Sequence, residues 1–224
     1  MSDQQANLEW RDGAIPVSTQ FDDPYFSLEN GLAETRHVFL AGNDLPARFA
    51  PGFHIAELGF GTGLNLLTTW AAWDAAGMTT PLSFTSFEAF PMEAEEMARA
   101  LAAFPELAPY ADRLVTAWAK DKTLATLEGI NAQIVIGDAR ETLESMDFAA
   151  DAWFLDGFSP AKNPELWDAD LMAQVGQHTK PDGTAATYTA AGFVRRNLTD
   201  AGFEVTRIPG FGRKRHMTIA RRLP

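Results

Sequence analysis

The chain has no cysteine in its 224 residues, which excludes disulfides, thiol nucleophiles, cysteine-ligated zinc and iron–sulfur clusters. Histidine is scarce: His37, His54, His178 and His216 are the whole set. They form no i,i+4 pair and no His-Glu-x-x-His, so a histidine metal site would have to be assembled from distant segments, and no metal is expected. Long apolar runs are also missing. Gly, Thr or a charge breaks each one far short of the roughly 20 residues that cross a bilayer. The N-terminal MSDQQANLEWRDG has acids and amides where a secretory leader has a basic and then an apolar stretch. A soluble cytoplasmic protein without a membrane partner is expected. Positive charge is in short supply as well, with 18 Lys and Arg against 30 Asp and Glu, a net −12. That balance argues against nucleic acid until its distribution is read. Residues 195–224 carry eight basic residues against Asp200 and Glu204, so this segment is +6 and residues 1–194 are −18. Such asymmetry fits an anionic partner meeting one face, or equally a solvated terminal strand and helix.

What is present is material for a core: 46% of residues are hydrophobic, with 16 Phe and 6 Trp, which excludes intrinsic disorder. There is no repeat and no separating linker. Residues 1–50, punctuated by Asp22-Asp23-Pro24, Glu29-Asn30-Gly31 and Ala41-Gly42-Asn43-Asp44, read as a cap of short strands and helices packed on a main domain at 51–224. From residue 53 the pattern alternates between strand and helix, the signature of βαβ units and a mainly parallel sheet. Strands are expected at 53–58, 82–87, 151–155, 184–189, 203–208 and 217–220, with a hairpin joining 123–128 to 133–136. Helices are expected at 64–76, 91–103, 164–177 and 192–201, and a turn at Pro181-Asp182-Gly183.

The strongest local signal is Glu57-x-Gly59-x-Gly61-x-Gly63 at a strand-to-helix turn. Glycines let a backbone approach a ligand closely, and the helix N-terminus offers N–H donors with the positive end of a dipole. A dinucleotide fingerprint would place its third glycine at 64, which is Leu. The shifted glycine and the preceding acid resemble class I S-adenosyl-L-methionine methyltransferases. NAD, another nucleotide or a purely structural turn remain alternatives. In an open α/β sheet, ligands bind at the carboxyl ends of the strands. Glu88 closes the second strand and suits ribose hydroxyls, and Asp138 follows Ile134-Val135-Ile136-Gly137 where an adenine amino group could be met. Each alone reads as a surface acid or an N-cap; their joint placement favours a site. Asp156, after Trp153-Phe154-Leu155 and before Gly157-Phe158-Ser159-Pro160, stands at a pocket mouth or caps its loop.

Four strings carry a resemblance: Glu57-Leu-Gly-Phe-Gly-Thr-Gly-Leu-Asn65, Phe154-Leu-Asp-Gly-Phe-Ser-Pro-Ala-Lys-Asn-Pro164, Ala191-Gly-Phe-Val-Arg-Arg196 and Gly210-Phe-Gly-Arg-Lys-Arg-His-Met217. With Tyr25-Phe26-Ser27 and Gly31-Leu32-x-Glu34-Thr35-Arg36 they cover nearly the whole chain and resemble the methyltransferase half of the MnmC family, which completes 5-methylaminomethyl-2-thiouridine at the tRNA wobble position. The chain stops at Pro224 with no flavin-dependent oxidase portion, so the resemblance is to the stand-alone form and implies methyl transfer only. It implies a Rossmann-like class I fold, with a mainly parallel seven-stranded sheet and helices on both faces. It also implies S-adenosyl-L-methionine as cofactor, held by Glu57, Gly59, Phe60, Gly61, Thr62, Gly63, Asn65, Glu88, Asp138 and Asp156. Asp156 would orient the substrate amine and accept its proton, as a weak base if its pKa were an ordinary one near 4. Phe158 and Pro160 would wall the substrate pocket, with Tyr188 a second candidate wall and Lys162 a further substrate-binding residue, while Arg195, Arg196, Arg213, Lys214 and Arg215 would hold anticodon-stem phosphates. Because side chains alternate in an extended segment, Lys214 could face away from its two neighbours. The aminomethylating enzymes upstream, or a separate oxidase, would be functional partners. A methyltransferase of a small-molecule amine and a non-enzymatic nucleotide-binding module are the rival readings.

Overall fold

A computed structural model describes residues 5–27, 30–123, 127 and 129–224. The chain opens with a three-stranded antiparallel sheet, β1 (Leu8–Arg11), β2 (Ile15–Ser18) and β3 (Asp23–Pro24), in the order β1-β2-β3. Next come α1 (Gly31–Thr35), capped by the Asn30 side chain, a π-helical turn at Arg36–Leu40 and a 3-10 turn at Ala41–Asn43. Asn43 is fully buried and ties this segment to the main sheet, donating to the Trp153 carbonyl and accepting from Thr184 Oγ1.

The main sheet has seven strands: β4 (His54–Leu58), β5 (Leu82–Glu88), β6 (Ile130–Ile136), β7 (Ala150–Leu155), β8 (Thr179–Thr187), β9 (Phe203–Pro209) and β10 (His216–Arg222), in the spatial order β6-β5-β4-β7-β8-β10-β9. All neighbours are parallel except β10, which runs antiparallel to β8 and β9. The helices are α2 (Leu64–Ala75), α3 (Ala94–Leu101), α4 (Ala108–Trp118), α5 (Ala139–Thr142), α6 (Ala169–Gln177) and α7 (Gly192–Asp200). Strand side chains alternate between two cores, because successive residues of a strand point to opposite faces. Ile55, Phe84 and Phe154 join α2, α3 and α4 on one face, whereas Ala56, Phe87 and Trp153 join α5, α6 and α7 on the other. The order of winding reverses between β4 and β7, so a crevice opens there at the carboxyl edge of the sheet.

Several boundaries differ from the sequence reading. The expected 91–103 helix starts at Ala94, where Glu93 and Glu96 form a capping box. The expected 164–177 helix is a 3-10 turn at Pro164–Trp167 followed by α6, because the Asp168 side chain caps the second piece through Leu171 N. Pro181-Asp182-Gly183 lies inside β8, absorbed by a register shift against β7 between Ala150 and Ala152. β6 pairs parallel to β5, and the expected hairpin is reduced to an antiparallel bridge, Leu127 with Ile130; residues 124–126 and 128 of its first arm lie outside the described residues. Between Ala103 and Thr123 the sequence reading contained no element, and the structure places α4 there.

Candidate active site

The glycine turn leaves β4 at the crevice and enters α2 through Gly63. Its first two amides, Gly59 N and Phe60 N, donate to the Phe87 carbonyl and pin it to the end of β5. Gly59 has φ +85°, and a Cβ there would stand 2.2 Å from the Asp156 carbonyl oxygen, so only glycine lets the turn touch the loop after β7. Gly63 serves packing instead: its Cβ would meet Leu114 at 2.7 Å, and it does not line the cleft.

Around this turn lies a cleft of about 1460 Å³. Gly59 to Thr62, Asn65, Glu88, Asp138 and Asp156 line it, as do Phe158, Lys162, Tyr188 and Lys214. The structure thus gathers most of the expected residues at one sheet edge. Glu88 accepts from Gly61 N and Phe90 N, each at 2.8 Å, and desolvation still raises its pKa against those bonds. Beside Glu88, the exposed apolar surface of Ile136 faces the same cleft at the end of β6.

Glu57 is not where the sequence reading put it. It is fully buried beneath the turn and lines no part of the cleft. Its carboxyl accepts from Ser86 Oγ at 2.6 Å and Asn65 Nδ2 at 2.8 Å, and burial raises its pKa well above the ordinary value. Asn65 also donates to Asp156 Oδ2 at 2.8 Å, so Asn65 links buried Glu57 to the cleft. Asp138 also differs. It caps α5 through Arg140 N, and both of its oxygens receive the Arg140 guanidinium, which holds its pKa below the ordinary carboxylate range. An adenine amino group would have to share that carboxylate with Arg140.

At Asp156 the sequence reading of an ordinary acidity is corrected. Desolvation pushes its carboxyl up to about 7, with Asn65 and Lys214 pulling the other way. A carboxylate titrating there is a competent proton acceptor at neutral pH.

The aromatic wall is wider than the sequence reading held. Phe158 stacks on Phe21 with centroids 4.7 Å apart and meets Tyr25 edge-on at 5.0 Å. Tyr25 lies over Gly61, 3.1 Å from where a Cβ would be. The loop carrying Phe158 is fastened to the N-terminal segment: Ser159 N donates to Asp23 Oδ2 at 2.8 Å, and Lys162 Nζ donates to the carbonyl and the carboxylate of Asp22. Tyr188 donates to the Gly157 carbonyl at 2.6 Å. Phe21, Tyr25 and Glu34, all from the first fifty residues, line the cleft and were not singled out as site residues. Tyr25 and Glu34 stand in the strings that carried the resemblance, which was the available signal. Ile136 was detectable as the last apolar residue of its strand.

Lys214 turns into the cleft, 2.8 Å from Glu34 Oε1 and over the Tyr188 ring, 4.1 Å from its centroid. It therefore leaves the group of cations expected on phosphates. Pro160, Arg195, Arg196, Arg213 and Arg215 do not line the cleft; Arg196, Arg213 and Arg215 are exposed outside it, and Arg195 is half-buried. No helix of the described residues is long and apolar enough to cross a membrane.

The residues present fit S-adenosyl-L-methionine. A glycine turn gives close backbone approach, Glu88 offers a carboxylate at the second strand, Ile136 offers an exposed apolar surface, and Asp156 closes the far end. Comparison with known proteins agrees. Residues 105–222 match the model of a family described as S-adenosyl-L-methionine-dependent methyltransferase. Two curated proteins of Pseudomonas aeruginosa, strains UCBPP-PA14 and PAO1, are named tRNA 5-methylaminomethyl-2-thiouridine biosynthesis bifunctional protein MnmC. They are 46% and 45% identical over 229 residues, covering 97% of this chain and 35% of each relative. The chain thus spans about a third of the length of those relatives. The crystal structure of MnmC2 from Aquifex aeolicus is similar with a TM-score of 0.77 at 26% identity, covering 99% of this chain and 72% of that one.

Proposed function

The chain belongs to the S-adenosyl-L-methionine-dependent methyltransferase family, and from that premise we propose that it methylates the primary amine of 5-aminomethyl(-2-thio)uridine at the tRNA wobble position. The observation that carries this reading is Asp156: it stands between the cofactor turn and an aromatic wall, with a carboxyl titrating near neutrality. The names of the two Pseudomonas relatives give tRNA and 5-methylaminomethyl-2-thiouridine, the product that such a transfer would complete.

Bound S-adenosyl-L-methionine supplies a methyl group already activated by its sulfonium. The turn from Gly59 to Thr62 and the carboxylate of Glu88 would hold the cofactor, and the exposed Ile136 would offer it an apolar surface. The protein's main task is then to place the acceptor nitrogen in line, within roughly 3–3.5 Å of the methyl carbon. That nitrogen must be neutral. An alkyl amine with a pKa of about 10 requires on the order of 4 kcal/mol to lose its proton at pH 7, and a desolvated cleft lowers that cost. Asp156 accepts the hydrogen bond of the incoming ammonium and takes the proton that it must lose to become neutral; the methylated amine leaves as a secondary ammonium, and Asp156 returns its proton to water. Phe158 and Tyr188 wall the flipped base, which stacks on an aromatic face. Arg195, Arg196, Arg213 and Arg215 meet anticodon-stem phosphates outside the cleft, an expectation for a tRNA enzyme working in the cytoplasm beside the enzymes that install the aminomethyl group.

The test is direct. The protein is incubated with S-adenosyl-L-methionine and tRNA lacking this methylation, and the digested nucleosides are weighed by mass spectrometry. Conversion of aminomethyl to methylaminomethyl uridine is expected. Methylation of free small amines that tRNA does not compete with would turn the reading to a small-molecule enzyme.

A further inference from the structure

Lys214 ends in the same CH2–NH3⁺ group that a 5-aminomethyl substituent carries, and it lies in the reaction cleft. Its Nζ is 2.8 Å from Glu34 Oε1 and 4.1 Å from the centroid of the Tyr188 ring. A carboxylate on one side and the face of an aromatic ring on the other are the two elements that recognise an alkylammonium ion. Asp156 lines the same cleft and feels the charges of both Lys214 and Glu34. One carboxylate therefore holds the cation directly, and a second shares its cleft.

The walls of this seat are fixed, but its occupant is not. Glu34 lies in α1, with a side chain 13% exposed, and Asn30 caps that helix. The Tyr188 ring is anchored by its hydroxyl on the Gly157 carbonyl. Lys214 sits on the turn between β9 and β10 at the end of a four-carbon stem, and its side chain is 46% exposed. An ion pair with that much solvent around one partner contributes little, so a competing ammonium can displace it.

We propose that Glu34, the Tyr188 ring face and Asp156 form a seat for a primary alkylammonium group, which Lys214 fills internally and vacates when the acceptor amine enters. This rests on the reading that the substrate carries such an amine. Lys214 is then a stand-in for the substrate, opposite in effect to the phosphate ligand that its neighbours in sequence suggest. The seat also brings the incoming nitrogen into the cleft that Asp156 lines.

The two partners of the ion pair are expected to move binding in opposite directions, which a structural strut cannot do. Glu34→Gln should raise the KM for aminomethyl-tRNA about tenfold, since one wall of the seat loses its charge. Lys214→Met should lower that KM about two- to fivefold, because the competing ammonium is gone. Cofactor affinity, measured by calorimetry, should stay at the wild-type value in both. A rise in KM for Lys214→Met matching that for Glu34→Gln overturns the proposal. A second measurement needs no tRNA. Ethylammonium, titrated into the protein and followed by NMR, should bind Lys214→Met saturably, while wild type binds more weakly and the Glu34→Gln/Lys214→Met double variant does not bind. Equal binding by wild type and Lys214→Met refutes the stand-in. If ethylammonium binds Lys214→Met as expected but wild type does not methylate aminomethyl-tRNA, the seat stands and the substrate assignment falls.

Discussion

The side-chain amide of Asn65 donates to Asp156 Oδ2 at 2.8 Å while it also donates to buried Glu57 at 2.8 Å. Asn65 sits in the first turn of α2, so the helix that begins at the glycine turn also orients the Asp156 carboxylate. Its bond favours the ionised form of Asp156 and lowers the pKa that desolvation raises. In Asn65→Leu the Asp156 pKa should rise, moving the acid limb of the kcat/KM profile to higher pH. At pH 7 the rate should fall about tenfold, the scale of one missing hydrogen bond to a charged group, and recover in part at pH 9. A pH-independent loss would show that Asn65 acts on something other than Asp156.

Asp156→Ala should reduce methyl transfer about 10²–10⁴-fold, the range for removal of a positioned proton acceptor, while cofactor affinity falls far less. Near wild-type turnover at saturating tRNA would reduce Asp156 to a loop cap.

The same residue links stability to pH. A carboxyl raised from its ordinary value to about 7 binds more protons folded than unfolded. Its stabilising contribution is therefore complete below the unfolded pKa and is lost as pH rises through about 7. Asp156→Asn, which never ionises, should show a Tm advantage over wild type that grows between pH 5 and pH 8. A constant or shrinking difference over that window contradicts the assignment.

Cofactor binding should depend on the Glu88 carboxylate and on the apolar surface of Ile136. Glu88→Ala should weaken S-adenosyl-L-methionine binding about 10–100-fold, because it removes acceptors for the ribose and the bond that holds Gly61 N. Ile136→Asp should weaken it as well, yet leave the Tm of the free protein unchanged, since that side chain is already exposed. Calorimetry that finds either variant at wild-type affinity would move the cofactor elsewhere in the cleft.

The outer cations should govern nucleic-acid affinity. Body and tRNA are both anionic, so a local cluster must replace the counterions condensed on phosphates. Arg213→Glu with Arg215→Glu should weaken tRNA binding and flatten its log–log salt dependence by about one unit for each phosphate that is no longer neutralised. Unchanged affinity and slope between low and physiological salt would place the RNA on another face.

The sheet, the glycine turn and the acids at the strand ends were legible because they depend on local pattern: period-two apolar alternation, glycines where φ is positive, an acid at each strand end. Some corrections are local, such as the Arg140 guanidinium on Asp138 and the Asp168 cap that starts α6; the ones that reshape the site come from interactions between residues distant in sequence. Lys214 was grouped with Arg213 and Arg215 by adjacency, but Glu34, 180 positions away, draws it into the cleft. Asp156 was given an ordinary acidity because nothing local reports how far its surroundings exclude water. Glu57 stood in a ligand motif, yet the Ser86 hydroxyl from the neighbouring strand claims it. β8 was shortened at Pro181-Asp182-Gly183 because turn chemistry in the sequence does not reveal that the partner strand can tolerate a bulge.

The space that Gly59 leaves open belongs to the Asp156 carbonyl. The β4 turn and the loop after β7 are therefore two halves of one joint, in direct main-chain contact with no side chain between them to absorb a misfit. Neither can be exchanged for a relative's loop alone. A graft that replaces the loop after β7 has to carry the β4 turn with it, or it will displace Gly59 and Asp156 together.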